Sequence, residues 1–304
     1  MNGIVVIDKP AGVTSHDVVN RLRRILNERS VGHLGTLDPA ATGVLPMVVG
    51  SLTRLAQFYL KMEKTYEGVI RFGIATDTYD AEGEATSAPQ EVTLSHDQVC
   101  QLARNFVGSI EQTPPPFSAK KIQGVPAYKL ARKKQDVPLK PVQVEVKEFE
   151  ITNVEEDRAA FRVKVSSGTY VRSLAHDIGA KLGCGAHLKS LRRTTCGEFT
   201  LADAHTLEEI EAANKAVDID SVFIHPRKLL PEFPSVTANE ESAAHIRSGR
   251  PVNLPEFSTA PQVKVFLDQR ELVCIATRIA GTLFHPKIVF LPARTLYTTP
   301  IHKI

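Results

Sequence analysis

The chain lacks long apolar runs, has few cysteines and carries little net charge, and each of these lacks closes off a class of protein. No stretch of its 304 residues approaches the ~18 consecutive apolar residues of a membrane span. The run Ile4–Ile7 is far too short for the apolar region of a secretory signal, and Lys9-Pro10 follows at once. Cys100, Cys184, Cys196 and Cys274 form no C-x-x-C pair, so zinc-ribbon and thioredoxin readings fail on spacing. Scattered thiols fit a reducing cytosol, where free cysteine serves as a small core residue. Lys plus Arg number 37 against 34 Asp plus Glu, and the resulting +3 announces no nucleic-acid partner by itself. With 42% hydrophobic and 23% charged residues, the composition excludes a disordered, collagen-like or coiled-coil chain. We expect a soluble, cytoplasmic protein without membrane association.

Several chemical signatures are missing as well. There is no G-x-G-x-x-G turn for a dinucleotide and no G-x-S-x-G elbow for a Ser-His-Asp hydrolase. Thr76–Glu84 is rich in acids but lacks the order of a calcium loop, so it reads as a polar loop. The ten histidines never pair with cysteine or with each other at metal-ligand spacing. No internal repeat or low-complexity tract appears.

What is present is an alternation of helical and strand periods. Ser15 can cap a helix with the stripe Val18, Val19, Leu22, Ile25 and Leu26. Ser95-His96-Asp97-Gln98 has capping-box form ahead of Val99, Leu102 and Phe106. Val171, Leu174, Ala175, Ile178 and Leu182 predict a helix stopped near Gly183. Val142-Val144-Val146 and Phe161-Val163-Val165 alternate as strands. Without βαβ repeats, the layout predicts an α/β fold of α+β type, its mixed and largely antiparallel sheet flanked by helices. Residues 113–140 read as a long excursion from that body. Proline-spaced residues 225–235 read as a linker, and Thr237-Ala238-Asn239-Glu240 as another capping box. The strands Val263-Val265-Leu267 and Leu272–Ile275 then predict a small β-rich C-terminal module over 235–304, after a body over 1–230.

Three places could carry chemistry. The loop Gly32–Gly43 holds three glycines and Asp38-Pro39, and a carboxylate presented there can act as nucleophile or general base. It can equally be a turn in which Asp38 bonds its own backbone. Arg172 falls in the first turn of its helix, a poor place for a cation unless an anion lies nearby. Asp38 would supply that anion and be kept ionised by the pairing; an exposed arginine contributing little is the alternative. From Ile110 to Lys140, a stretch that includes the excursion, the chain carries Lys120, Lys121, Lys129, Arg132, Lys133, Lys134 and Lys140 against Glu111 and Asp136, a net +5, with Phe117 and Tyr128 between the charges. Such a loop suits RNA, through phosphate neutralisation and stacking, or is a solvated charged loop. His187, Lys189, Arg192 and Arg193 form a smaller basic cluster.

With these residues in view the chain resembles the bacterial tRNA pseudouridine-55 synthases of the TruB family. The likeness rests on Gly3-Ile4-Val5-Val6-Ile7-Asp8-Lys9-Pro10 through Ser15, on Gly32-His33-Leu34-Gly35-Thr36-Leu37-Asp38-Pro39, on Lys64-Thr65-Tyr66 and on Gly168-Thr169-Tyr170-Val171-Arg172. It continues in Pro114–Arg132, which is similar to the family's RNA-gripping thumb loop, and in Gly185–Arg193. Phe117 departs from the tyrosine of the family pattern. The C-terminal module resembles a divergent PUA-type RNA-binding domain.

The resemblance implies a pseudouridine-synthase fold with an inserted thumb, and isomerisation of a uridine in the T-arm stem-loop of tRNA without cofactor or metal. It implies no obligate protein partner, and the chain is read as a monomer. Asp38 is implied to be the nucleophile, Arg172 its partner, and Tyr66 the residue that stacks on the flipped base and offers a hydroxyl for the C5 proton. Tyr170 and Leu191 would wall the pocket. His33 would fill the space the base leaves, or be a hydrogen-bonded loop histidine. Lys120, Lys121, Tyr128, Arg132 and Arg192 are read as RNA contacts. Lys9 is counted with the substrate-side residues, although beside Pro10 it suits support of the catalytic loop better. A related synthase acting on another RNA, or an RNA-folding protein with incidental catalysis, are the competing readings.

Overall fold

The computed structural model describes residues 1–118, 120–122, 124–131, 133, 138–268 and 271–290, apart from the side chains of Lys121, Ile122, Pro126, Tyr128 and Lys129. A strand that is apolar without interruption needs cover on both faces, and the first strand has it. In β1 (Gly3–Lys9), Val5 and Ile7 enter one core cluster while Ile4 and Val6 enter another, because successive side chains point to opposite sides.

The remaining strands are β2 (Val31–His33), β3 (Thr42–Val49), β4 (Lys64–Phe72), β5 (Gly108–Gln112), β6 (Lys121–Ile122), β7 (Val125–Pro126), β8 (Val142–Glu155), β9 (Arg158–Val165), β10 (Ala186–Cys196), β11 (Phe199–Thr200) and β12 (Ala204–His205). The main sheet runs β12-β1-β3-β10-β4-β9-β8-β5, with β2 on β3 and β11 on β10. Its pairs are antiparallel except β1 with β12 and β3 with β10. The mixed, largely antiparallel sheet expected from the sequence is what forms. Helices α1 (Ser15–Leu26), α2 (His96–Arg104), α4 (Val171–Leu182) and α5 (Leu207–Lys215) bury Leu22, Val99, Leu174 and Ile210 in the cluster on one face. On the other face, a 3₁₀ segment at Gly50–Phe58 packs with residues of the C-terminal sheet. No described helix is long and apolar enough to cross a membrane.

Helix ends follow side-chain geometry more closely than motif form. Thr14, not Ser15, caps α1: its hydroxyl accepts the Asp17 N–H at 3.1 Å, and Asp17 Oδ2 accepts the Thr14 N–H at 2.9 Å. Ser95 occupies the cap position of α2, but its side chain makes no capping bond. Gly183 ends α4 at φ 77°, where a residue without Cβ is at ease. The excursion is not an unstructured loop: β6 and β7 pair as a hairpin, and α3 (Ala127–Ala131) follows.

The C-terminal sheet has the order β13-β15-β16-β17-β14, from β13 (Ser235–Thr237), β14 (Val252–Asn253), β15 (Gln262–Phe266), β16 (Leu272–Ala280) and β17 (Leu283–Val289). Its helix α6 (Glu240–Arg247) is capped by Asn239, which accepts from Ser242 N at 2.8 Å, rather than by Thr237. Nor is 225–235 a free tether. Leu229 and Leu230 are buried, and the ammonium of the buried Lys264 donates to the Arg227 and Leu229 carbonyls at 2.9 and 2.6 Å.

Candidate active site

The loop that carries Asp38 is held from three directions by residues far away in sequence. Lys9, fully buried at the end of β1, donates to the carbonyls of Pro10, Pro39 and Ala41 at 2.8, 3.0 and 2.7 Å. Ser15, in the first turn of α1, donates to the Leu37 carbonyl at 3.0 Å and accepts its N–H at 2.9 Å. Arg193, fully buried on β10, donates to Val44, Thr36 and Gly35 carbonyls at 2.7, 3.2 and 3.0 Å. Gly43 serves this clamp rather than a ligand: at φ 98°, a Cβ there would collide with the Arg193 carbonyl.

The loop so fixed presents Asp38 to Arg172. Arg172 Nε lies 2.9 Å from Asp38 Oδ2, an ion pair in which the N–H is not aimed as a hydrogen bond. The guanidinium is buried, and its other nitrogens donate to the Thr78 carbonyl at 3.0 Å, Asp80 Oδ2 at 3.2 Å and the Phe117 carbonyl at 3.1 Å. A cation in the first turn of α4 is thus answered by two carboxylates. Burial pushes the Asp38 carboxyl above its ordinary range; Arg172 pulls it down, and Asp80 pushes it up again. Arg172 thus acts in the direction read from the sequence, favouring the ionised form of Asp38 against the desolvation that disfavours it. Because 43% of the Asp38 side chain is exposed, water still reaches the carboxylate in the free protein.

A cavity of about 370 Å³ opens over this pair, lined also by His33, Tyr59, Lys64, Tyr66, Ser118, Tyr170 and Leu191. Tyr66 is buried on β4, opposite Arg193 in the ladder. Burial raises its phenol and the neighbouring Arg193 partly offsets that rise. His33 Nδ1 accepts the Gly35 N–H at 3.3 Å, and burial lowers its pKa, so the ring is a neutral loop histidine that also faces the cavity. The start of α4 is set by the buried Gln112, whose amide accepts from Tyr170 N at 2.7 Å and donates to Tyr170 O at 3.0 Å.

Of the residues singled out in the sequence, the structure gathers Asp38, Arg172, Tyr66, His33, Tyr170 and Leu191 at one cavity. No part of Lys9 is exposed in the free protein, and its bonds are those of the loop support that its place beside Pro10 suggested. Arg192 pairs with Asp8 through both terminal nitrogens, at 3.0 and 2.8 Å, away from the Asp38 cavity. His187 and Arg193 are buried and do not belong to a basic surface cluster. Lys120 donates to the Lys140 carbonyl at 3.2 Å, across the foot of the thumb. The side chains of Lys121 and Tyr128, and the whole of Arg132, lie outside the described residues. Sequence reasoning missed Asp80 as a partner of Arg172, read Arg193 as part of a basic cluster rather than as a clamp on the loop, and did not single out Gln112 or Ser118, whose buried hydroxyl has no partner among the described residues. Strand alternation was a usable signal for Arg193, since neighbours on a strand face opposite ways.

Comparison with known proteins decides what this arrangement is. Residues 23–171 match the model of the TruB family pseudouridylate synthase (N terminal domain). Residues 172–226 match that of the tRNA pseudouridylate synthase B C-terminal domain. The chain is 48% identical over 292 residues to tRNA pseudouridine synthase B of Solibacter usitatus, covering 95% of this chain and 100% of that one. The chain belongs to the TruB family of pseudouridylate synthases. It is 41% identical over 276 residues to tRNA pseudouridine synthase B of Aquifex aeolicus, covering 89% of this chain and 93% of that one. Among solved structures it is similar to a chain in an H/ACA RNP bound to a substrate RNA containing 2'-deoxyuridine, with TM-score 0.69 and 25% identity over 96% of this chain and 86% of that one. A chain of a Cbf5-Nop10-Gar1 complex gives TM-score 0.70 at 26% identity, over 96% of this chain and 85% of that one. As a member of the TruB family the protein is an isomerase, and its fold is the pseudouridine-synthase fold.

Proposed function

We propose that this synthase isomerises uridine-55 in the T-arm of tRNA to pseudouridine, with Asp38 as its nucleophile. The N1–C1′ bond breaks, the base turns over and C5 bonds to C1′; the C5 proton leaves and N1 takes one up, so no oxidant or reductant is needed. Asp38 acts either by adding to C1′ or by removing a ribose proton on the way to a glycal. One observation carries the reading: a carboxylate at a cavity of about 370 Å³, 2.9 Å from a buried arginine and beside a buried tyrosine. Tyr66 offers its ring for stacking. Its phenol, raised by burial, could take the C5 proton only as a phenolate whose charge Arg193 balances.

A base inside a stem-loop must be flipped out first, at a few kcal/mol. The net +5 of residues 110–140 and the C-terminal sheet, read as a PUA-like RNA contact, would offset that expense. The substrate places the enzyme in the cytoplasm, and we read it as a monomer. The test is release of tritium from uridine C5 of T-arm RNA. Asp38→Asn, nearly isosteric but unable to form the anion, should bind RNA and release nothing; equal release by the variant would reject the role. Mapping of modified uridines in a deletion strain separates tRNA position 55 from another RNA. A tRNA-folding role beside catalysis predicts that an Asp38→Asn strain outgrows the deletion strain.

A further inference from the structure

The 3₁₀ segment Gly50–Phe58 and the residues after it stand between the Asp38 cavity and the C-terminal sheet. On one side Ala56, Tyr59 and Leu60 line the cavity. On the other, Arg54 Nη1 donates to the Val289 carbonyl at 2.7 Å, and the Phe58 ring meets Phe233 edge-on at 5.5 Å. Glu198, in the turn from β10 to β11, closes the gap. Its Oε1 accepts both the Tyr59 hydroxyl at 2.8 Å and the Leu230 N–H at 3.0 Å. Leu230 sits at φ 49°, a left-handed conformation that leucine rarely adopts, just where the body passes into the C-terminal sheet. Tyr59 is almost completely buried, its ring 5.6 Å from that of Phe199.

We propose that Glu198 is a positioning residue for the isomerisation, tying the Tyr59 wall of the cavity to the junction with the C-terminal sheet. How that sheet is seated is thereby felt where the base reacts. The inference rests on the reading that the Asp38 cavity is the reaction site. A carboxylate is a poor choice here on stability alone. Burial disfavours its charge and raises its pKa, the hydrogen bonds from Leu230 and Tyr59 pull it back only in part, and Glu232 adds to the rise. What the carboxylate adds is direction, because two donors from separate parts of the molecule converge on one oxygen and neither can shift without the other.

The test uses the full chain and T-arm RNA tritiated at uridine C5, with the rate at saturating RNA and the RNA affinity measured separately. Glu198→Ala leaves two buried donors unpaired. Glu198→Gln keeps an oxygen that can accept both, and Tyr59→Phe removes one hydroxyl while keeping the ring. We expect Glu198→Ala and Tyr59→Phe each to slow the saturated rate about tenfold, less than the ~10²-fold of a 1 Å misplacement, with affinity changed less than about twofold. Glu198→Gln should restore the rate. If Glu198→Ala does not fold, Tyr59→Phe and Glu198→Gln carry the test. An unchanged saturated rate in Tyr59→Phe, a loss in affinity alone, or a Gln variant as slow as Tyr59→Phe overturns the coupling. An inactive Asp38→Asn control shows in each of those cases that the site itself stands. Undiminished release by Asp38→Asn removes the site reading, and this proposal with it.

Discussion

Arg172 shows how much of a site one residue can reveal. Its position in the first turn of a helix predicts a nearby anion, and both the helix start and Asp38 are legible from local pattern. Asp80 is not, because it reaches Arg172 through a loop that turns at Tyr79, held at φ 64° and stacked 3.9 Å from the His176 ring. Nothing local in Thr76–Glu84 encodes that long-range fold. Asp80→Asn removes the charge from a charge-assisted contact, worth a factor of about 10 to 100 in the saturated rate of tritium release. RNA affinity should hold; an unaltered rate would mean that Asp38 and the Thr78 and Phe117 carbonyls orient the guanidinium without Asp80. Lys9 makes a second residue-scale prediction. Burial lowers its pKa from 10.5 to about 8, so between those values the unfolded chain binds more protons than the folded one. Stability owed to this residue therefore rises with pH from about 8 to 10.5, as the cost of a buried charge is relieved. Lys9→Met, which leaves the Pro10, Pro39 and Ala41 carbonyls unpaired, should be less stable by about 1–3 kcal/mol at neutral pH. Its deficit should widen across that alkaline window in denaturant melts, whereas a deficit that shrinks would contradict the sign.

At the scale of elements, the sequence is reliable about periods and unreliable about ends. The stripes of α1, α2 and α4 and the alternation in β8 and β9 survive because each is repeated over many residues and fixed by burial. Caps depend on a single side-chain geometry. Ser95-x-x-Gln98 has the right form and makes no capping bond, while Thr14 and Asp17 satisfy each other reciprocally. Thr14→Ala should accordingly lower stability by about 1 kcal/mol, and Ser95→Ala by no more than a few tenths. Urea midpoints of the two variants measure this directly, and equal losses would show that both helices are capped alike in solution. The excursion itself was legible, but the hairpin and helix inside it were not, because two-residue strands and a five-residue helix are too short to show a period.

For the whole molecule, averages concealed what placement shows. The net charge of +3 combines +5 in the segment from Ile110 to Lys140 with −2 elsewhere, so the basic segment was diluted rather than absent. The linker read at 225–235 is likewise more than its composition says, because proline spacing shows where a chain turns but not what the turn is packed against. Ile4, Val6, Val44, Val48, Leu52 and Leu55 of the body share one buried cluster with Phe266, Leu272, Ile275, Ile288 and Phe290 of the C-terminal sheet. The second face of the main sheet is thus covered by that module, and its removal would return apolar strand residues to water. Uncovering four such side chains at ~1.5–3 kcal/mol each approaches the ~5–15 kcal/mol that holds a typical domain folded. We therefore expect the full chain to unfold in one cooperative transition, and a chain ended at residue 230 to lose that transition or unfold at much lower denaturant. A truncated chain that melts at the full-length midpoint would show that the catalytic body stands alone, and that the shared core contributes little to its stability.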